Sequence, residues 1–345
     1  MRIGILTHPL VKNYGGILQA FSLKCHLESL GHNVVILNRR FNFNRYKGLI
    51  VDFLSFLNVP RYSQGKKEIS EITKFVKKNF KSTRKLYSKQ ELVKAIDRCK
   101  LDCVVIGSDQ VWRSDFCCHS DYDYWGGFMS GKRNIKTFSF AASIAHDTWN
   151  YNSEDTRIIK ELVSRFCGVS VREESAMQLC KENLDIDAKW VIDPTLLHDS
   201  TFYDRIAADR INGKPYIFVY WLGDRDIIKK DLERYSQKYE IIELHLKGND
   251  RKNSIEEWLS YIKHSEIVIT DSFHGTVFSI IYNKHFITYK NESGGYSRIE
   301  SLFKMLDIEE KKEDPHAMLD YGKVNAVLKN LQEEAKTFIR ESIGD

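Results

Sequence analysis

The stretch EIVITDSFHGTVFSIIYNKHFITY, from Glu266 to Tyr289, carries the pattern that decides the fold. A β-branched run, residues 267–269, ends in a polar cluster at 270–276, and an apolar helix-like segment and a second short strand follow. Strand, polar turn, helix and strand in this order are typical of a βαβ unit in a parallel sheet. The same order recurs along the chain, so the sequence predicts an α/β fold.

Two series of alternating strands and helices predict two Rossmann-like, doubly wound domains that face each other across a cleft. The first spans residues 1–200 and includes a basic helical region at 61–100, the second spans 213–322, and an amphipathic helix follows at 323–345. Ligands bind such sheets at the carboxyl ends of the strands. Eight polar clusters are expected at that edge: Gly15-Gly16, Gly107 to Gln110, Ser143, Arg172 to Glu174, Asp193 to Thr195, Gly223-Asp224, Asp271 to Gly275, and Asn291 to Arg298.

The composition describes a globular protein, with 345 residues, 42% hydrophobic content and only 5 Pro. The first residues are strand-like and lack a charged segment followed by a long apolar one, so we expect no signal peptide. No apolar run reaches the roughly 20 residues that a membrane span needs. The 7 Cys are expected to be reduced thiols, since their spacing is not that of a zinc site. We therefore expect a cytoplasmic protein without a bound metal or cofactor.

The net charge of +5 is unevenly distributed. Between Arg61 and Lys100, 13 Lys and Arg oppose four acids, which gives this region +9 and leaves −4 for the rest of the chain. Such a region is usually a solvated helix face, but it also fits an anionic partner such as nucleic acid, a phosphorylated lipid carrier or a membrane leaflet. Its aromatic residues fall at helical spacing with aliphatic ones, which indicates core contacts. We therefore expect that the protein does not bind nucleic acid. Through its basic region, we expect it to make a peripheral contact with the inner membrane face.

The polar cluster in the opening stretch has the residues of an active site. Gly275 and Thr276 are predicted to begin a helix, whose first backbone N–H groups can hold an anion. His274 supplies an imidazole, which suits proton transfer near neutral pH. Asp271 could orient that imidazole or accept a substrate hydroxyl. The competing interpretation is that Asp271 caps the helix and His274 makes a buried hydrogen bond.

Three further residues at predicted strand ends have two interpretations each. Arg172 could grip a carboxylate or phosphate, or pair with Glu173 or Glu174. Asp109 could act as a base or cap a turn. Arg298 follows a Gly-bearing loop that is either an anion-binding lid or a simple connection. The Gly15-Gly16 turn lacks G-x-G-x-x-G spacing, which argues against a dinucleotide site.

The chain resembles the polysaccharide pyruvyl transferase family. The resemblance is carried by an ordered set of motifs from residue 3 to about residue 306: NYGGILQAFSL, VVIGSDQVW, SFAAS, SVREESA, VIDPTLL, EEWLSYIKHSEIVITDSFHGTVFSIIYNKHFI and SRIESLF. The long segment around His274 is the most specific of them.

The resemblance implies a fold similar to two-Rossmann (GT-B type) glycosyltransferases. It also implies transfer of a carboxyethylidene group from phosphoenolpyruvate to two hydroxyls of one sugar in a surface polysaccharide or its lipid-linked precursor. His274 is then expected to be the acid and base, Arg172 an anion clamp, and Arg298 a second anion ligand. Asp109 and Asp271 are expected to activate or orient the acceptor. Further substrate contacts are expected from the small residues of the matching motifs: Ser272, Gly275, Thr276, Gly15, Gly16 and Ser108.

The sequence departs from part of this family at one position. Some members carry Arg-Leu-His at the histidine motif, whereas this chain has Ser272-Phe273-His274. The missing guanidinium leaves open which residue contacts the donor. Two alternative functions therefore remain: a nucleotide-sugar-dependent glycosyltransferase of similar fold, and a non-catalytic family member that binds an anion.

Overall fold

The chain divides into two compact units, each built around a parallel sheet. Unit 1 comprises Met1–Leu197 and Glu333–Asp345, and unit 2 comprises His198–Gln332. The computed structural model describes residues 1–11, 13–40, 66–117, 121–130, 135–245, 253–290 and 296–344. The first part of the predicted basic region, including Arg61, and residues 291–295 of the Gly-bearing loop lie outside the described residues. The predicted α/β class with two Rossmann-like domains is confirmed.

Unit 1 alternates strands and helices from its first residues. Its described strands are β1 (Arg2–Leu6), β2 (Asn33–Ile36), β3 (Cys103–Ile106), β4 (Lys136–Ser139), β5 (Ser170–Val171) and β6 (Lys189–Trp190). Its described helices are α1 (Tyr14–Ser29), α2 (Lys66–Asn79), α3 (Lys89–Cys99), α4 (Ser114–Cys117), α5 (Ser153–Val163) and α6 (Glu174–Leu184). The main sheet has the order β2-β1-β3-β4, all parallel, and β5 pairs with β6 in a second parallel pair. An isolated bridge from Phe138 to Gly168 links β4 to the chain before β5.

The central strand of the unit 1 sheet is apolar because both faces of the sheet are covered. All four residues of β3 are buried, as expected for a central parallel strand. One face packs against a cluster that contains Trp112 and Trp125, whose rings stack with centroids 4.1 Å apart. Phe138 of β4 packs edge to face with Phe338, which comes from the end of the chain.

Unit 2 repeats the same alternation. Its described strands are β7 (Tyr216–Trp221), β8 (Glu240–His245), β9 (Ile267–Thr270) and β10 (His285–Thr288), in the parallel order β10-β9-β7-β8. Its described helices are α7 (Ser200–Asp204), α8 (Lys229–Ser236), α9 (Ile255–His264), α10 (Phe273–Ile281), α11 (Tyr296–Met305), α12 (Glu310–Glu313) and the first part of α13 (Tyr321–Ile343). Among the described residues, no helix has both the length and the apolar character that crossing a bilayer requires.

Helix α13 was predicted as a separate element at 323–345. The structure starts it at Tyr321, and the unit boundary at Gln332 falls inside it. Its residues up to Gln332 belong to unit 2 and those from Glu333 belong to unit 1, where Phe338 packs on β4.

Candidate active site

In unit 2, the junction between β9 and α10 is tied to the end of the neighbouring strand β7. Asp271 follows β9 and is only 4% exposed. Its two carboxylate oxygens accept hydrogen bonds from the backbone N–H groups of Leu222 and Gly223, each at 2.8 Å. Hydrogen bonds from N–H groups to a carboxylate are stronger than those between neutral groups. Asp271 therefore fixes the turn after β7 against the start of α10.

Helix α10 begins two residues earlier than predicted, and this corrects part of the proposed anion site. Ser272 is the N-cap, and its side chain accepts the N–H of Gly275 at 3.4 Å. The N–H of Thr276 bonds to the Ser272 carbonyl at 3.0 Å, inside the helix. The prediction that Gly275 and Thr276 offer free N–H groups to a ligand is therefore wrong. The alternative that Asp271 caps the helix is also wrong, since Ser272 has that position.

Gly275 is required by a close approach between α10 and β9. A Cβ atom at this position would lie 2.4 Å from the Thr270 hydroxyl oxygen and 3.1 Å from its Cβ. That hydroxyl is itself fixed, since it donates to the Tyr220 carbonyl at 2.7 Å and accepts the Ser272 N–H at 3.0 Å. The missing side chain thus brings the helix N-terminus directly onto the end of β9, and it sets the position of the adjacent His274.

His274 lies in the first turn of α10 and is 7% exposed. Its imidazole packs edge to face against Phe273, with ring centroids 5.1 Å apart. The guanidinium carbon of Arg298, in α11, lies 5.7 Å from the centre of the Phe273 ring, within the range of a cation–π contact. The positive end of the α10 dipole and the Arg298 guanidinium together favour an anionic ligand beside this imidazole.

In unit 1, Arg172 lies at the centre of a buried polar network at the carboxyl edge of the sheet. It is 3% exposed, and its Nη1 donates to Asp193 at 2.6 Å and to the Ser108 hydroxyl at 3.4 Å. Ser108 in turn donates to the same Asp193 oxygen at 3.1 Å, and the Arg172 Nη2 lies 3.9 Å from Asp109. Burial lowers the pKa of Arg172, but the carboxylates of Asp193, Glu173 and Asp109 more than offset this and raise it.

This network changes the role predicted for Arg172. The guanidinium is already bonded to Asp193, and a bound anion would also meet the nearby Asp109 carboxylate. A residue so placed is poorly suited to clamp a second anion. Arg172 therefore fits a positioning role better than the predicted anion clamp. Its partner Asp193 is part of a polar cluster that the sequence indicated but to which it assigned no role.

Asp109 lies at the edge of the network, in a conformation uncommon for a residue with a side chain. Its φ is 77°, in the left-handed region, and such strain in a well-packed structure is frequent at functional sites. Its carboxylate accepts the Gln110 N–H at 2.9 Å and lies 3.5 Å from the Asn13 amide nitrogen. Both features are compatible with the predicted base or with a turn cap.

The two predicted glycines lie in the first turn of α1, where Asn13 is the N-cap. The N–H of Gly16 donates to the Asn13 side chain at 3.0 Å, so it serves the cap. A Cβ atom on Gly16 would lie 3.0 Å from the Asp109 carboxylate, so this glycine makes room for that side chain. Gly15 is buried beside it. The contribution of Gly16 is thus to the placement of Asp109.

The sequence interpretation missed His8, which follows β1 at the same edge. Its ring packs edge to face with Tyr124 at 5.6 Å. Burial lowers the pKa of His8 below its usual value, and the nearby Asp109 carboxylate offsets this only in part. Because Thr7 and His8 are the first polar residues after a buried strand, the rule that found the other clusters would have found them.

The structure therefore brings the predicted residues together in two groups. The group in unit 1 consists of Gly15, Gly16, Ser108, Asp109 and Arg172. The group in unit 2 consists of Asp271, Ser272, His274, Gly275, Thr276 and Arg298. Among the described residues, no group of three or more His, Cys, Asp or Glu side chains is arranged to hold a metal ion. Both groups lie where parallel α/β sheets bind their ligands.

The chain is similar in fold to solved structures of sugar-processing enzymes. A glycotransferase of kitacinnamycin superimposes with a TM-score of 0.50 at 9% sequence identity, with 99% of this chain and 98% of that chain covered. The UDP-GlcNAc 2-epimerase from Methanocaldococcus jannaschii gives a TM-score of 0.49 at 13% identity, with 95% and 92% covered. The first of these likenesses shows the fold, which is that of two-Rossmann proteins of the GT-B type.

The sequence comparisons identify the family. No protein of curated function matches the chain. The family model described as polysaccharide pyruvyl transferase matches residues 13–293. This range includes the cap of α1 and every residue of the two groups except Arg298. The match covers well over half of the chain. The chain belongs to the polysaccharide pyruvyl transferase family, a family of transferases.

Proposed function

We propose that the protein transfers a carboxyethylidene group from phosphoenolpyruvate to two hydroxyls of one sugar, in a surface polysaccharide or its lipid-linked precursor. Family membership supports a pyruvyl transferase. The observation that carries the assignment of the site is the position of His274 at the N-terminus of α10, beside the Phe273 ring on which Arg298 lies.

The donor is a small molecule with a phosphate and a carboxylate, so its site needs positive charge. The N-terminus of α10 supplies a partial positive charge, and Arg298 supplies a full one. In this proposal Arg298 holds the donor. Ser272, which stands where some relatives carry an arginine, instead caps the helix and fixes its direction.

His274 is proposed to act first as an acid and then as a base. The imidazolium of His274 gives a proton to the methylene carbon of the donor while the oxygen of one sugar hydroxyl adds to C2, and the proton of that hydroxyl leaves with the phosphate. The second hydroxyl then loses its proton and displaces phosphate, which closes the ketal. The same imidazole can deliver the first proton and accept the second, since a group that has donated a proton is a base for the next step. Asp271 positions this residue through its bonds to the turn after β7.

The group in unit 1 is proposed to handle the acceptor. Asp109 orients or deprotonates a sugar hydroxyl, and Arg172 and Ser108 hold the acidic network around it. Gly16 contributes by leaving space for the Asp109 carboxylate. We further propose that the enzyme works in the cytoplasm, where it meets both the donor and the lipid-linked acceptor.

The test is turnover with phosphoenolpyruvate and a panel of glycan acceptors, measured as phosphate release and as pyruvyl ketal in the product by mass spectrometry. His274→Gln should lower kcat by about 10²- to 10⁴-fold. The matched control is His264→Gln, on the last turn of α9, which should retain activity. Arg298→Met should mainly raise the KM for the donor. Full activity in His274→Gln, or no phosphate release with any acceptor, would contradict the proposal.

The second candidate is a nucleotide-sugar-dependent glycosyltransferase, which the likeness to the kitacinnamycin glycotransferase favours at the level of fold. Ligand-induced stabilisation separates the two, because a ligand that binds the native state raises its melting temperature. Phosphoenolpyruvate should raise the Tm if the first proposal holds, and UDP- or GDP-sugars should do so in the second case. A non-catalytic anion-binding protein would be stabilised by the donor but would keep its cellular role in His274→Gln.

A further inference from the structure

Helix α2 presents a basic face that the proposed reaction does not use. Its buried side is formed by Ile72 and Phe75. Three exposed lysines, Lys74, Lys77 and Lys78, lie on the opposite side. At 3.6 residues per turn, Lys77 and Lys78 lie on either side of Lys74, within an arc of about 100°. We call these three residues the α2 basic face.

The stretch of chain that contains this face is strongly positive. Residues 71–100 contain ten Lys and Arg and three acids, which gives a net charge of +7. Lys77 and Lys78 form no ion pair with any residue that the structure describes. Lys74 pairs with Glu71 at 2.7 Å, but its side chain is 72% exposed, and such surface pairs are weak. Further exposed cations follow α2 along the chain: Lys81, Arg84, Lys94, Arg98 and Lys100.

The inner side of α2 accounts for its aromatic residues. Phe75 packs edge to face with Phe21 of α1 at 5.5 Å, and Phe80 does so at 6.1 Å. Both are buried, so no aromatic ring of these helices is available to stack on a nucleic-acid base. The outward side of α2 therefore offers flexible ammonium groups on a convex helix surface.

We propose that the α2 basic face docks the protein on an anionic lipid bilayer. Ammonium groups on long flexible stems suit a fluid surface of mobile anionic headgroups, and clustered Lys and Arg are attracted to such leaflets. The attraction acts through exposed charges, so salt screens it. This inference is independent of the proposed pyruvyl transfer, and it predicts a peripheral contact that places the protein beside lipid-linked molecules.

The test is co-sedimentation of the full chain with vesicles of 30% phosphatidylglycerol and 70% phosphatidylcholine, compared with vesicles of phosphatidylcholine alone. The wild-type protein should bind the anionic vesicles at low salt and dissociate from them at high salt. It should not bind the neutral vesicles. Each lysine should contribute about fivefold to partitioning, so the triple variant Lys74→Gln, Lys77→Gln, Lys78→Gln should bind about 100-fold more weakly.

Two control variants separate a specific face from overall charge. The triple variant Lys229→Gln, Lys230→Gln, Lys329→Gln removes the same charge from exposed positions elsewhere and should bind like the wild type. Replacing the three α2 lysines by Arg keeps the charge and should keep binding. Pyruvyl transfer to a soluble acceptor without vesicles should be unchanged in the α2 triple variant, so failure of this inference is distinguishable from failure of the proposed function.

Three results would overturn the inference. One is that the protein does not bind the anionic vesicles at low salt. Another is that both glutamine triples weaken binding equally, which would reflect net charge alone. The third is that the α2 triple variant loses affinity for single-stranded or duplex DNA but not for vesicles, which would make this face a nucleic-acid surface. Melting curves of all variants confirm that they are folded, as expected for exposed positions.

Discussion

Replacing Arg172 by Met distinguishes the positioning role from the anion clamp that its sequence motif suggests. The substitution keeps much of the side-chain volume but removes the charge. It leaves Asp193, whose side chain is fully buried, without the guanidinium that lies 2.6 Å away. It also leaves Asp109 without the cation at 3.9 Å.

The cost follows from burial. Removing one partner of a buried ion pair costs about 3–5 kcal/mol, because the remaining charge is left uncompensated. For a unit of roughly 200 residues, 1 kcal/mol corresponds to about 2–4 °C, so the Tm of unit 1 should fall by about 10 °C. The matched control is Arg113→Met, in the same unit, since Arg113 pairs with the 60% exposed Asp115 and should lose at most about 1 kcal/mol.

The assay is thermal and urea unfolding of Arg172→Met, Asp193→Asn and the double variant. Because the two side chains are in contact, their effects should not add. The double variant should lose about 2 kcal/mol less unfolding free energy than the sum of the losses in the two single variants. An anion clamp predicts the opposite pattern: an unchanged Tm, additive effects and a raised KM for the donor. A melting temperature of Arg172→Met within 2 °C of wild type, together with a raised KM, would refute the positioning role.

Two more predictions concern unit 2. Gly275→Ala should lower the unfolding free energy by about 3 kcal/mol, because the new Cβ must displace the buried Thr270 hydroxyl. Adding Thr270→Ala to this variant should restore part of the lost stability. A loss below 1 kcal/mol in urea unfolding would show that α10 can shift freely. Burial lowers the pKa of Lys311 to about 8, so the folded protein loses this proton near pH 8 while the unfolded chain keeps it until about pH 10.5. Between these values the unfolding free energy of the wild type should rise relative to Lys311→Met by about 1.4 kcal/mol per pH unit. Parallel pH profiles of the two proteins in thermal melts from pH 7 to 10 would contradict this.

Much of the fold was predictable because the buried strands are short apolar runs with polar ends. The apolar runs at residues 103–106 and 267–270 predict central parallel strands. Asp109 and Asp271 follow these strands at the carboxyl edge of each sheet, as expected. The final helix was also predictable from its apolar stripe, although its division between the two units was not.

The partner of Arg172 was harder to predict. The sequence suggested its neighbours Glu173 and Glu174, whereas the structure pairs it with Asp193, 21 residues later. The reason is the register of β5 and β6, in which Val171 lies opposite Trp190, so the residues after both strands meet at one edge. Register between short strands depends on tertiary packing, which composition does not reveal.

The start of α10 shows a second limit. A glycine usually interrupts a helix, so Gly275 looked like its boundary. Here Gly275 lies inside the first turn, because only a residue without a side chain fits against Thr270. The left-handed conformation of Asp109 was likewise not visible in the sequence, since it depends on the surroundings that hold the turn.

The path of α13 has a consequence for anyone who wishes to study unit 1 in isolation. Its last residues complete that unit: Phe338 packs against Phe138, Lys136 donates to the Ile343 carbonyl at 2.6 Å, and the Cys167 thiol donates to the Ser342 carbonyl at 3.2 Å. A fragment that stops at Leu197 would lose these contacts and leave the Phe138 ring of β4 open to water. Such a fragment would be prone to aggregate, whereas a circularly permuted chain that places residues 333–345 before Met1 would restore the missing surface.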